Sequence, residues 1–429
     1  MKKSAFLSHG KKILIVLFVG IIIRLALSFT TYHSDVVPFD FAGKLISKGN
    51  TANFYDYLWN VPDGDPILKI YPRNLFNYPP LPYFFLGGMS LITTWIVDPI
   101  IHNNFIMDFP STLGNTQLNL LLLLLKLPYF FFDIAVGYFL MSFFKNSKEK
   151  IWAFGLWMFN PINLYATYMV GQFDIIPTFL SVFALYLVYK NKDKLEQKSL
   201  IPSAILLGLG AAFKIFPLLF ILPLAFIKKT WWGKIKIIVS FGITYLLTAF
   251  PYIFSAGFRR TAMLAGQTTK SFYAQIPISG GESIILFLAV VIFFYIVFFY
   301  KKVIVEDLWK RFFIMLLTFF IFTHYHPQWF LWIMPFFVID LVASKFKHWP
   351  LLVTTMVSFT ALVTFFDPGL TIGLFSPVNS ELYNSVGIWQ QIGINFDINL
   401  MRSIFQTIFV GIAMYYIYYY FPKDNHEKE

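Results

Sequence analysis

The sequence contains no cysteine, which removes thiolate nucleophiles, disulfides and cysteine metal sites from consideration and leaves the compartment open. Charge is scarce too. Asp, Glu, Lys and Arg make up 13% of the 429 residues, against roughly 25% in soluble domains. No small-residue cleavage site follows the N-terminal apolar run, and Arg24 interrupts that run, so the chain is expected to keep its first span rather than lose a signal peptide. There are only 7 histidines, and the outer-face carboxylates show no ligand spacing, so no metal cluster is indicated and no cofactor is expected, with a divalent-metal requirement left open.

What the chain has in abundance is apolar and aromatic surface. Hydrophobic residues reach 57% and aromatic residues 21%, with 53 Phe, 24 Tyr and 11 Trp. Such a composition describes a polytopic membrane protein, all-α and a single transmembrane domain over residues 1–429. A first span over about residues 13–32 is followed by a polar segment, residues 33–117, that holds two amphipathic stretches. The second, Leu81 to Trp95, is too short to cross and is read as lying in the interface. Further spans are expected near residues 118–143, 237–254, 284–300, 351–366 and 403–420. Three hairpins, over residues 150–190, 198–228 and 311–345, bring the total to about twelve crossings with both termini inside.

The cations fit this arrangement. The inner segments, beginning with Lys2, Lys3, Lys11 and Lys12 and ending with Lys423 and Lys428, hold about two thirds of the 34 Lys and Arg residues, as the enrichment of cations in cytoplasmic loops requires. The formal net charge of +12 therefore reports topology, and no nucleic-acid partner is implied. Most of the remaining polar residues fall on the outer face. Asp35 stands where the first span leaves the bilayer. The hairpin tips carry Gln172 and Asp174, then Lys214, then His324, His326 and Gln328, and an outer loop holds Arg259, Arg260 and Lys270.

A transferase on that face has no access to cytoplasmic nucleotide sugars and needs a donor already carried across on a lipid. Asp35 can take a proton from an acceptor hydroxyl as general base, given a rigid helix end to hold it in reach. Lys214, Arg259, Arg260, Lys270 and the histidines can bind a lipid phosphate and stabilise the charge that grows on it. Against these readings, a single aspartate after a span is commonly a solvated helix-end residue, Asp40 suits a surface or interface position, and His324 and His326 suit a capping role beside Pro327. Asp133 lies inside the second span, where a carboxylate needs a partner. Lys126 and Arg24 are candidates for a structural ion pair with it. A recessed Lys214 needs an anionic partner of its own.

His33-Ser34-Asp35 with Phe39, Phe54-Tyr55 and Tyr78-Pro79-Pro80-Leu81 resemble the first outer loop of GT-C superfamily glycosyltransferases. The later motifs resemble the same superfamily: Asn160-Pro161 with Gly171-Gln172-Phe173-Asp174, then Lys214-Ile215-Phe216-Pro217, then His326-Pro327-Gln328-Trp329. The pattern spans residues 10 to about 340 and is most similar to bacterial and archaeal enzymes related to GPI-anchor mannosyltransferases. The resemblance implies an inverting membrane enzyme that moves a monosaccharide, mannose by that likeness, from a polyprenyl-phosphate donor to a glycan, lipid or protein acceptor. It implies Asp35 as base, Tyr78, Gln172 and Asp174 in the same cavity, and the Lys214 and His326 region toward the lipid phosphate. The pattern departs from that superfamily in one respect: Asp35 lacks an adjacent acidic partner, which leaves a helper role open for Asp40 or Asp174. Residues 345–429 carry no matching motif. A flippase for lipid-linked glycans is the alternative, since buried charges suit it equally, although no inverted repeat of spans is found. A transferase is expected to gather Asp35, Asp174 and Lys214 around one outward cavity.

Overall fold

The computed structural model describes residues 2–192, 197–263, 269–301, 304–323 and 326–422. His324, Tyr325 and Lys194, Lys302, Lys423 and Lys428, four of the cations expected inside, lie outside the described residues.

The described chain is helical except for one small antiparallel hairpin, β1 (Gln275–Pro277) with β2 (Ser283–Ile285). It opens with α1 (Lys2–Thr30), then the short helices α2 (Val37–Ser47), α3 (Phe54–Asn60), α4 (Ile67–Ile70), α5 (Pro80–Thr93) and α6 (Pro99–Met107), followed by the long α7 (Thr116–Ser142) and α8 (Ser147–Met158). A helix or helical pair occupies each position where a crossing is expected. Four helices are long and apolar enough to cross a bilayer: His9–Thr30, Thr116–Ser142, Trp231–Tyr252 and Ile398–Tyr420. Other apolar helices run 10–17 residues, below the roughly 20 residues of a full crossing. The architecture is that of an all-helical integral membrane protein, and among the described residues these four long and six shorter apolar helices do not by themselves make the twelve crossings expected.

Buried polar groups hold the long helices together, because a membrane interior offers them no water. Asp133 on α7 receives Arg24 Nε from α1 at 2.5 Å, Tyr168 Oη at 2.6 Å, and Trp157 Nε1 and Asn163 Nδ2 at 2.7 Å each. Arg24 also donates through Nη1 to the Met158 carbonyl at 2.8 Å. One carboxylate thus joins α1, α7, α8 and the segment that follows. Arg24 is its ionic partner. Lys126 turns elsewhere, donating to the carbonyls of Thr31 at 2.7 Å and Tyr168 at 2.8 Å. That second junction ties the end of α1 to the start of the 168–174 turn.

The segment 33–117 packs as a small aromatic layer. α2 and α5 cross where Gly43 meets Gly87, and a Cβ at Gly43 would lie 2.5 Å from the Gly87 carbonyl oxygen. Only glycine permits that approach. α5 is 14 residues long and buries Pro80, Tyr83, Leu86, Gly87 and Ser90 against its neighbours. Phe54 and Tyr83 are fully buried and Phe76 nearly so, each pair with centroids 5.4 Å apart and inclined by 60° or more. Tilted and edge-to-face pairs of this kind add order-of-1 kcal/mol each beyond burial.

Candidate active site

Asp35 owes its position to local chain geometry. α1 ends at Thr30, and His33 caps the next turn, Ser34–Val36, with Nδ1 accepting the Asp35 amide at 3.2 Å. The same nitrogen lies 3.5 Å from the Asp35 carboxylate. α2 then starts at Val37 with Pro38 in its first turn, so the carboxylate stands just before a helix N-terminus, where the backbone dipole favours negative charge. Its side chain is 37% exposed.

Two carboxamides from separate hairpin tips meet Asp35. Gln172 Nε2 donates to Oδ2, and Gln328 Nε2 lies 3.5 Å from the same oxygen. Both glutamines are buried, and the carbonyl oxygen of each has no hydrogen-bond partner among the described residues. Buried acceptors left unmet are uncommon. Gln172 is aimed by its neighbour Gly171, whose φ of +75° and contact with Val36 and Lys126 leave no room for a side chain. Tyr129 Oη fixes the Gly171 carbonyl at 3.0 Å.

Around Asp35 opens a cavity of about 620 Å³, walled by Phe39, Tyr78 and Tyr83 of the 33–117 segment, by Gln172, and by His326, Gln328 and Trp329 of the third hairpin. Its far side comes from residues 366–370 and Arg402. Two hydrogen bonds hold that side in place: Tyr165 Oη to the Leu370 carbonyl and the Tyr32 amide to the Leu374 carbonyl, each 2.8 Å. Burial first, then the nearby Asp35 and Asp174, push the Tyr78 phenol well above its ordinary pKa, so it stays protonated.

The residues expected at the site separate into groups. Asp35, Tyr78, Gln172, His326 and Gln328 line the cavity. Lys270 borders it, with Nζ 2.8 Å from His326 Nε2 and 5.7 Å from the Trp329 ring. Burial, then the neighbouring Lys214, lower the Lys270 pKa from the ordinary lysine value. Asp174 and Lys214 are buried behind the wall and paired with each other at 2.8 Å, with Trp332 Nε1 also donating to Asp174. The Lys214 ammonium lies 5.3 to 5.5 Å from the rings of Tyr78, Phe173, Trp329 and Trp332. Lys214 thus has its anionic partner, and the expected gathering of Asp35, Asp174 and Lys214 around one cavity is not what the structure has. Asp40 is also buried away from the cavity, hydrogen-bonded by Ser90 and 3.1 Å from His102. Arg259 and Arg260 are exposed outside it, Arg260 stacked on Trp59 at 5.1 Å. His324 lies outside the described residues.

Sequence reasoning passed over Asp367 and Arg402, both in the cavity wall. The signal was present. Asp367 follows the apolar helix Trp349–Val363 much as Asp35 follows α1, and Arg402 stands near the start of the last apolar helix.

Residues 130–321, less than half of the chain, match the family model described as Glycosyltransferase family 87. That stretch includes Gln172, Asp174, Lys214 and Lys270, starts after Asp35 and stops before His326 and Gln328. No curated protein matches the chain. Among solved structures, ArnT from Cupriavidus metallidurans bound to undecaprenyl phosphate is similar at a TM-score of 0.42 and 9% identity, over 95% of this chain and 77% of that one.

Proposed function

We propose that the chain is an inverting glycosyltransferase that moves a monosaccharide from a polyprenyl-phosphate donor to an acceptor hydroxyl at the outer face of the membrane. The observation that carries this reading is the Asp35 carboxylate. It is fixed by two carboxamides whose own oxygens have no partner among the described residues, and it faces a cavity large enough for a sugar and its acceptor. Unmet amide oxygens suit sugar hydroxyls, and tyrosine and tryptophan rings suit the apolar faces of a pyranose. The family-87 match over residues 130–321 supports glycosyl transfer as the reaction class.

In this mechanism Asp35 accepts the proton of the acceptor hydroxyl as its oxygen bonds to the anomeric carbon. The bond from that carbon to the phosphate oxygen breaks on the opposite face, and the electron pair leaves with the phosphate. An oxocarbenium-like transition state of this kind needs a base and a cationic cradle. A general acid is unnecessary, because a phosphate leaves as an anion. Lys270, hydrogen-bonded to His326 at the cavity rim, is the cation we assign to the phosphate. Lys214 already neutralises Asp174 and instead stiffens the wall. Mannose is the sugar suggested by the motif resemblance. The outer-face assignment follows from the inner clustering of cations. A flippase would need a polar path inward, and the buried Asp174–Lys214 pair behind the cavity wall has its ammonium enclosed by four rings.

The test is transfer of radiolabelled sugar from synthetic polyprenyl-phosphate monosaccharides to a membrane lipid extract, with purified wild type beside Asp35→Asn. Label in a new product with wild type alone is expected. No transfer from any donor, together with movement of labelled lipid across proteoliposomes, would replace this reading by transport.

A further inference from the structure

The outer segment between the last two apolar helices builds a second pocket that the reaction above does not use. It measures about 280 Å³, and its lining includes Phe365, Trp389, Phe396, Gln390 and Asn395. Phe366, Asp367 and Arg402 belong both to it and to the main cavity. The two spaces are therefore neighbours across a shared wall.

That wall is built with fixed geometry. Arg402 donates through Nε and Nη2 to the Phe365 carbonyl at 3.0 and 2.6 Å, and its guanidinium lies 4.2 Å from the Phe366 ring centroid. Phe365 is buried between Trp389, stacked at 5.3 Å and 19°, and Phe405 at 5.9 Å and 26°. Phe396 meets Trp389 edge-on at 5.2 Å, and Trp389 Nε1 donates to Thr364 Oγ1 at 3.2 Å. The result is a cluster of rings with a carboxylate and two exposed amide side chains beside it.

We infer that this pocket is the acceptor's carbohydrate subsite: a sugar ring packs against Trp389, its hydroxyls meet Asp367, Gln390 and Asn395, and the attacking hydroxyl reaches Asp35 through the adjoining cavity. The inference rests on the glycosyltransferase reading above and deepens it. Charge separates this subsite from the donor's. A lipid phosphate placed here would face Asp367, while Arg402 already spends two of its donors on a carbonyl; at the other rim Lys270, hydrogen-bonded to His326, offers a cation. The hydroxyls of a neutral sugar can both donate to a carboxylate and accept from amides, and its C–H face matches aromatic rings. The volume, at the small end for ligand pockets, suits one ring rather than an extended glycan. An acceptor with at least one sugar unit already attached follows.

The experiment measures initial transfer rates with purified protein in phosphatidylcholine vesicles, varying the acceptor, supplied as a membrane lipid extract, and the polyprenyl-phosphate donor separately. In Trp389→Ala, KM for the acceptor should rise about tenfold while KM for the donor moves less than about twofold. Trp389→Phe, which keeps the stack on Phe365, should recover most of the difference. Because Trp389→Ala can loosen the loop, Gln390→Ala tests the same subsite from an exposed position and should raise the acceptor KM alone, by about threefold. Methyl α-D-mannopyranoside added to wild type distinguishes a sugar subsite from a lipid one. Competition with the extract supports the inference, and indifference to the glycoside with competition by sugar-free lipid overturns it. Equal rises in both KM values, or an unchanged acceptor KM in Trp389→Ala and Gln390→Ala, also overturn it while leaving the transferase reading intact. A wild type that transfers from no donor removes both.

Discussion

Asp133 lies inside α7 and Asp35 in the turn that follows α1, and their surroundings differ in kind. Asp133 is fully buried and saturated: an arginine, an indole, an amide and a phenol all point at it. Asp35 is partly open, held by two carboxamides, with space in front of it. A carboxylate whose every lone pair is met serves as a joint, because nothing remains for a ligand to satisfy. A carboxylate with fixed orientation and unmet neighbours can do chemistry. Asp174 belongs with Asp133, since Lys214 and Trp332 consume it.

Substitutions should separate the two kinds of site. The largest effect is expected on catalysis: Asp35→Asn should lower the transfer rate by about 10² to 10⁴-fold while leaving the thermal unfolding midpoint near wild type, read by a transfer assay and a melting curve on one preparation. A melting point that falls as far as activity would make Asp35 another joint. Next, Asp133→Ala leaves Arg24 buried without its partner, and removal of one member of such a pair costs about 3–5 kcal/mol. Unfolding in detergent should show that loss; a stable, folded Asp133→Ala would erase the contrast from the other side.

A smaller effect should follow from Gln172→Ala and Gln328→Ala. Each should lower transfer about tenfold, the double variant more, with the melting point little changed. Full activity in both would mean that Asp35 needs no orienting amides. The smallest effect concerns pH. Burial and Lys214 lower the Lys270 pKa, so its charge is present at low pH and lost on raising pH sooner than an ordinary lysine's. Donor KM should therefore rise on the alkaline side, and Lys270→Arg, with a side chain that stays charged, should move that rise to higher pH. A profile identical in Lys270→Arg would assign the phosphate to another cation.

Much of this molecule was legible in its residues. Apolar runs separated by basic segments determine an all-helical membrane protein, because a bilayer tolerates only spans whose backbone bonds are internal. Asp35 stood out as a carboxylate at a span's end, and Lys214 as a recessed cation that needed an anion. Pairing was another matter. Arg24 and Lys126 were both plausible partners for Asp133, and three-dimensional depth assigned Arg24 to it and Lys126 to carbonyls. The same holds for the site. Five of the named residues line the cavity, whereas Asp40, Asp174 and Lys214 are consumed behind its walls and Arg259 and Arg260 lie outside. Asp367 and Arg402 arrive from residues more than three hundred positions after Asp35.

The sequence by itself determined the solvent each stretch must inhabit, since transfer from water to lipid depends on composition summed over a span. Only the tertiary structure decided which polar groups are spent on one another and which remain open to a substrate. That distinction depends on distances of about 3 Å between segments far apart in the chain, and local pattern does not encode them.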